Sequence, residues 1–212
     1  MRIESWRAGA KDAIMEKTME GMPMRILMLG NSFTYFHDMP QILSAMLGAE
    51  VVAHTRGGAR LSEHLNPETE LGARTLPALA EQKWDYVVLQ EQSFAPVGTP
   101  EAFHDSVRKL CGLIRQNGAQ PVLYATWAYR DDSEKLASTD LNFAQMHDAL
   151  LESYHAAAEE NGALVADAGS AFRDVSPVVD LYEADDYHPS AAGSVLAASV
   201  LARTIEKREA EK

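Results

Sequence analysis

A chain of 212 residues, 46% of them apolar and 24% charged, has the size and mix of one globular domain with a full core. Its net charge of −12, from 31 acidic against 19 basic residues, excludes general nucleic-acid binding, which needs clustered Lys and Arg against phosphates. The single cysteine, Cys111, excludes an internal disulfide, and no apolar run has the length of a membrane span.

Residues 1–23 mix charged and small residues, with Trp6, Ala10, Ala13 and Ile14 in one stripe, and predict a helical arm without an assigned chemistry. The segment lacks the apolar core of a signal peptide, so cytoplasmic residence is expected. From Met24 a second unit, 24–212, alternates strand-like and helix-like segments. The strand candidates are Ile26 to Leu29, Val51 to Ala53, Tyr86 to Leu89, Val122 to Ala125 and Leu164 to Ala166. Each is apolar almost throughout, as strands buried on both faces of a parallel sheet must be.

The helical segments between them carry their own start and stop signals. Pro40 to Leu47 is the first. Asn66-Pro67-Glu68 opens the second and Thr99-Pro100-Glu101 the third, each with a capping side chain before a proline at the first helical position. Asn117-Gly118 closes the third, and Asn161-Gly162 closes a long fourth that begins near Asp140. Pro189 opens the last, which runs through Leu196 and Leu201 into a charged tail. Cys111 lies among Leu110, Leu113 and Ile114 and is expected to be a buried thiol.

Five strand–helix repeats predict an α/β fold, a flavodoxin-like three-layer sandwich. Its five-stranded parallel sheet has the order 2-1-3-4-5 and helices on both faces. Ligands of such sheets sit beyond the carboxyl ends of the strands. Ser32, Gly58, Gln90, Trp127 and His188 all follow a strand or precede the last helix, so they gather on one edge.

Two of these positions carry nucleophilic chemistry. Ser32 follows Gly30 and Asn31 straight after the first strand, where a glycine turn lifts the hydroxyl out of the sheet. Asp185 precedes His188 by three residues, close enough to fold back onto Nδ1 and leave Nε2 for the serine. Asp186 competes for that role but is nearer in sequence and points elsewhere. The first turn lacks a GxGxxG pattern, a P-loop and a GxSxG elbow, which counts against dinucleotide binding and the larger α/β-hydrolases. The remaining histidines show no metal-ligand spacing, and His64 is expected at the surface.

Gly30-Asn31-Ser32-Phe33-Thr34 resembles block I of the SGNH hydrolases, the GDSL esterases, and Asp185-Asp186-Tyr187-His188-Pro189 resembles their terminal DxxH block. Arg56-Gly57-Gly58-Ala59-Arg60 is similar to the block whose glycine N–H lines the oxyanion hole, with Gly58 preferred over Gly57. Where that family has an asparagine, this chain has Leu89-Gln90-Glu91-Gln92-Ser93, similar to a glutamine-bearing carbohydrate-esterase branch. Gln90, at the strand end, is the expected donor, with Gln92 the alternative. Asn31 stands where the family has aspartate.

The resemblance implies a serine esterase. Ser32 would be the nucleophile, His188 the base and Asp185 its partner, with the N–H groups of Ser32 and Gly58 and the Gln90 amide on the oxyanion. It implies no metal and no cofactor. The expected substrate is a small-molecule ester with a short acyl group, acetyl on a carbohydrate in the first instance, with Trp127 flooring the pocket against the sugar. No nucleic-acid or membrane partner is expected, and the oligomeric state is left open. The competing expectations are a non-catalytic ligand-binding module on the same fold and, behind it, a flavodoxin-like cofactor binder.

Overall fold

A computed structural model describes residues 23–212. The expected arm, residues 1–23, lies outside the described residues except for Pro23.

The strands are β1 (Arg25–Gly30), β2 (Glu50–Thr55), β3 (Tyr86–Leu89), β4 (Gln120–Ala125) and β5 (Leu164–Asp167). They form one parallel sheet in the order β2-β1-β3-β4-β5, as the alternation predicted. The helices in chain order are α1 (Ser32–Tyr35), α2 (Met39–Leu47), α3 (Leu61–His64), α4 (Glu70–Glu81) and α5 (Ala95–Gly98), then α6 (Pro100–Asn117), α7 (Glu134–Ala137), α8 (Phe143–Asn161), α9 (Ala168–Val175) and α10 (Ala191–Glu209).

Alternate residues of each central strand enter two separate cores. Leu27, Leu29, Val87, Leu89 and Leu123 pack with Leu79 of α4, Phe103 and Leu110 of α6, and Leu150 and Tyr154 of α8. Ile26, Met28, Val88, Val122 and Tyr124 pack on the other side with Met39 and Leu43 of α2, Phe172 of α9 and Leu201 and Ile205 of α10. A strand apolar on both faces is therefore apolar at every position. Cys111 sits in the first core, where burial pushes its thiol up to about 11. Among the described residues no helix is long and apolar enough to cross a membrane.

Several helix starts differ from the sequence reading. Thr99 precedes α6 without a side-chain capping bond, its hydroxyl donating to the Ala95 carbonyl at 3.2 Å, and α8 begins at Phe143 behind an Asn142 cap, not at Asp140. Asn66 does not cap α4. Its side chain accepts the Glu68 N–H at 3.0 Å in a local turn, and Thr69 caps the helix instead, accepting from the Gly72 N–H at 3.0 Å. Asparagine before proline favours this turn as readily as a cap. Pro189 precedes α10, whose cap is Ser190, accepting from the Gly193 N–H at 3.2 Å.

Candidate active site

β1 ends at Gly30, and the chain turns at Asn31 into α1. A Cβ on Gly30 would stand 2.4 Å from Thr34 Oγ1 and 2.6 Å from Gln90 Oε1, so only glycine lets the turn close here. Asn31 is buried and caps α1, accepting the Phe33 N–H at 3.1 Å. Its Nδ2 donates to the Ala59 carbonyl at 3.0 Å, tying the turn to the loop after β2. Ser32 is thereby fixed as the first residue of α1.

His188 reaches the serine from the loop before α10. Its Nε2 lies 2.8 Å from Ser32 Oγ, and its Nδ1 lies 2.6 Å from Asp185 Oδ2. The carboxylate can only accept, so Nδ1 donates and Nε2 is left to accept the serine proton. Asp185 Oδ1 also accepts the N–H groups of Tyr187 at 3.3 Å and His188 at 3.0 Å. Partial burial pushes the Asp185 carboxyl upward. The hydrogen bonds from His188 and the Tyr187 N–H outweigh it and hold the group below its usual range. Asp186 turns away and pairs with Arg130 at 2.8 Å.

Aromatic rings fix the imidazole plane. Phe36 stacks on His188 with centroids 4.3 Å apart and planes 1° apart, and Tyr187 lies 4.2 Å away. The turn after Phe36 holds His37 and Asp38 at φ 50° and 54°, the left-handed region that costs a non-glycine residue energy. His37 Nε2 lies 2.7 Å from Glu183 Oε1, so a side-chain hydrogen bond joins the two loops that carry Phe36 and His188.

Ser32, Gly57, Gly58, Gln92, Phe36, Tyr187 and His188 line a cleft of about 350 Å³ together with Asn31, Phe33, Tyr35, Ser93 and Lys135. Gly58 has φ 66°, a conformation glycine adopts freely. Among the described residues neither the Ser32 nor the Gly58 N–H donates to a protein acceptor. A hydroxyl, an imidazole and two unspent N–H groups at one cleft, with a carboxylate behind the imidazole, are the parts needed for acyl transfer.

Three expectations do not survive. Gln90 is fully buried and does not line the cleft. Its Oε1 accepts the Asn31 N–H and the Thr34 hydroxyl, both at 2.9 Å, and its Nε2 donates to the Glu91 carbonyl. The strand end points it under the serine turn, and the next same-side residue, Gln92, faces the cleft instead. Trp127 is fully buried between Phe33 and Phe172, with centroids 4.9 Å and 3.7 Å away, and donates to the Tyr187 carbonyl at 3.0 Å. It braces the walls of the cleft from behind and offers no face to a ligand. His64, expected at the surface, is fully buried at Thr75, with Nδ1 2.9 Å from the threonine hydroxyl.

Sequence reasoning missed Phe36 and Tyr187 as imidazole supports, although both lie inside or beside the motifs. It also missed Lys135, for which the sequence carries no signal. Glu91 is a further buried group, accepting from the N–H groups of Gln92 at 2.7 Å and Leu61 at 3.3 Å. Burial pushes its carboxyl up to about 7 against these hydrogen bonds.

The sequence profile of the GDSL-like lipase/acylhydrolase family matches residues 28–196. Among solved structures, a candidate SGNH hydrolase from Slackia heliotrinireducens is 49% identical, with a TM-score of 0.84, covering 86% of this chain and 99% of that one. An acetylxylan esterase from Geobacillus stearothermophilus, solved as a catalytic mutant, shares the fold at 20% identity and a TM-score of 0.62, over 87% of this chain and 95% of its own. A DUF4886 family protein from Bacteroides uniformis does so at 21% and 0.67, over 85% and 82%. No curated protein matches the chain in sequence.

Proposed function

This chain belongs to the GDSL-like lipase/acylhydrolase family of ester-hydrolysing serine hydrolases, and from that premise we propose that it removes a small acyl group, acetyl first, from a hydroxylated substrate of the carbohydrate class. The observation that carries the assignment of roles is the unbroken line Asp185–His188–Ser32, at 2.6 Å and 2.8 Å. Ser32 Oγ attacks the ester carbonyl as His188 Nε2 takes its proton. Asp185 holds the tautomer and stabilises the imidazolium. The N–H groups of Ser32 and Gly58 donate hydrogen bonds to the developing oxyanion.

Gln92, in place of Gln90, supplies the third donor. Its Nε2 spends one hydrogen on Ser93 Oγ at 3.2 Å and keeps the other for the cleft. The protonated His188 then returns its proton to the leaving alkoxide. A water activated by His188 hydrolyses the acyl-enzyme on Ser32. The small cleft, about 350 Å³, favours a short acyl chain. The sugar part of the reading is supported by a neighbour with the same fold, the acetylxylan esterase.

The test is hydrolysis of p-nitrophenyl acetate and a panel of acetylated sugars by the wild type, Ser32→Ala and His188→Ala. Both variants are expected to lose activity by about 10³-fold or more while remaining folded. Equal activity in all three would turn the assignment to a ligand-binding module. Preference for long acyl chains would remove the acetyl reading and leave the hydrolase.

A further inference from the structure

The cleft is charged in one sense. The chain carries 31 acidic and 19 basic residues, yet no carboxylate lines the cleft, and Lys135 is its one fixed charge among the described residues. Asp185 stands on the Nδ1 side of His188, away from Ser32.

Lys135 is held there by rings. Its Nζ lies 4.7 Å from the Tyr187 centroid and 5.5 Å from that of Tyr129. Tyr187 is the ring beside His188, and the Tyr129 hydroxyl bonds Ser93 Oγ of the cleft wall at 2.8 Å. Aromatic faces attract an ammonium and leave its charge uncompensated. Asp131, Asp132 and Glu134 are near in sequence, but among the described residues none pairs with it. Lys109 and Arg130, by contrast, pair with carboxylates, at Asp105 and Asp180, whereas Lys83, Arg203 and Lys207 share with Lys135 the lack of one among the described residues.

We propose that Lys135 receives an anionic group of the substrate, so that the ester cleaved here carries a carboxylate, sulfate or phosphate beyond its reacting carbonyl. The inference rests on the hydrolase reading above and narrows its substrate class. A cleft without acids has no partner for a cationic substrate, and one ammonium at its rim rewards an anionic one. Because Lys135 is solvent-exposed, the reward is modest and salt-sensitive.

The experiment compares matched esters. 4-Acetoxybenzoate against 4-acetoxybenzamide places the charge on the leaving group. 4-Nitrophenyl hydrogen succinate against 4-nitrophenyl butanoate places it on the acyl side. Each rate is normalised to hydrolysis by hydroxide. In the wild type the charged member of at least one pair is expected to have the higher kcat/KM, by about fivefold at low salt. That ratio is expected to approach one in Lys135→Met, to invert in Lys135→Glu and to persist in Lys135→Arg. A purely structural role would lower both members together and leave the ratio intact.

A wild-type ratio of one or below for both pairs, or a ratio that survives Lys135→Met, overturns the inference while leaving the hydrolase. Absence of any Ser32-dependent hydrolysis overturns the hydrolase instead. In that case the two benzoyl ligands are titrated against Ser32→Ala with and without Lys135→Met. Tighter binding of the carboxylate that depends on Lys135 supports the inference, and equal binding overturns it.

Discussion

At the scale of single residues, the two glutamines after β3 separate support from chemistry. Gln90 accepts two hydrogen bonds beneath the serine turn and is fully buried. Gln90→Leu leaves the Asn31 N–H and the Thr34 hydroxyl without an acceptor, at about 1–3 kcal/mol for each stranded group. Urea unfolding is therefore expected to show a lower midpoint, with activity falling alongside it. Gln92→Glu keeps an oxygen for the Phe94 and Ala95 N–H groups that Gln92 Oε1 now accepts at 3.2 Å and 3.0 Å. It removes the proposed donor and adds negative charge beside the proposed oxyanion position. Its kcat is expected to drop by about 10²-fold or more with a smaller change in midpoint. Reversed results, with Gln90→Leu stable and catalytically dead, would return the donor role to Gln90. Asp185→Asn is expected to lower kcat by about 10³- to 10⁴-fold, because an amide in place of the carboxylate lets the imidazole settle in the wrong tautomer. Retention of full activity would remove Asp185 from the mechanism.

At the scale of elements, the parts legible in sequence were those governed by local physics. Ile26 to Leu29 and Tyr86 to Leu89 read as doubly buried strands because every side chain meets one of two cores. Gly118 and Gly162 marked helix ends because the chain there takes φ 94° and 57°. Ser32, Asp185 and His188 were legible because strand ends and a three-residue spacing place them. What was not legible depends on distant partners. The Gln90 contact to Asn31 spans 59 residues and the Trp127 bond to Tyr187 spans 60, and no local pattern reports either. The start of α4 is an intermediate case, since Asn66 and Thr69 both have capping chemistry, and the turn at Pro67 decides between them. Thr69→Ala is expected to cost about 1 kcal/mol by chemical unfolding, and Asn66→Ala less. The opposite order would place the cap back at Asn66.

At the scale of the whole molecule, three buried groups set opposing responses of stability to pH. His54 on β2 and His64 on α3 share the Thr75 hydroxyl of α4 at 3.1 Å and 2.9 Å. Burial first, then the Arg74 charge, lowers His54 to about 4. Burial, with His54 and Arg74 adding to it, lowers His64 to about 4 as well. Between an unfolded value of about 6.5 and that folded value, the unfolded chain binds protons that the folded one refuses. Their contribution is present above pH 6.5 and is lost as pH falls toward 4. Glu91 works the other way. Its folded value of about 7 stands above the unfolded 4.5, so the folded state holds the extra proton and stability declines as pH rises through that window. Two histidines outweigh one carboxyl, and Asp185 and Glu63, held below their usual range, add to the acid loss lower still. The urea midpoint is therefore expected to be lower at pH 4.5 than at pH 6.5. The double variant His54→Gln, His64→Gln should flatten that difference, and Glu91→Gln should enlarge it by removing the group that opposes it. A midpoint that rises on acidification, or a double variant with the wild-type slope, would show that burial does not hold these histidines neutral.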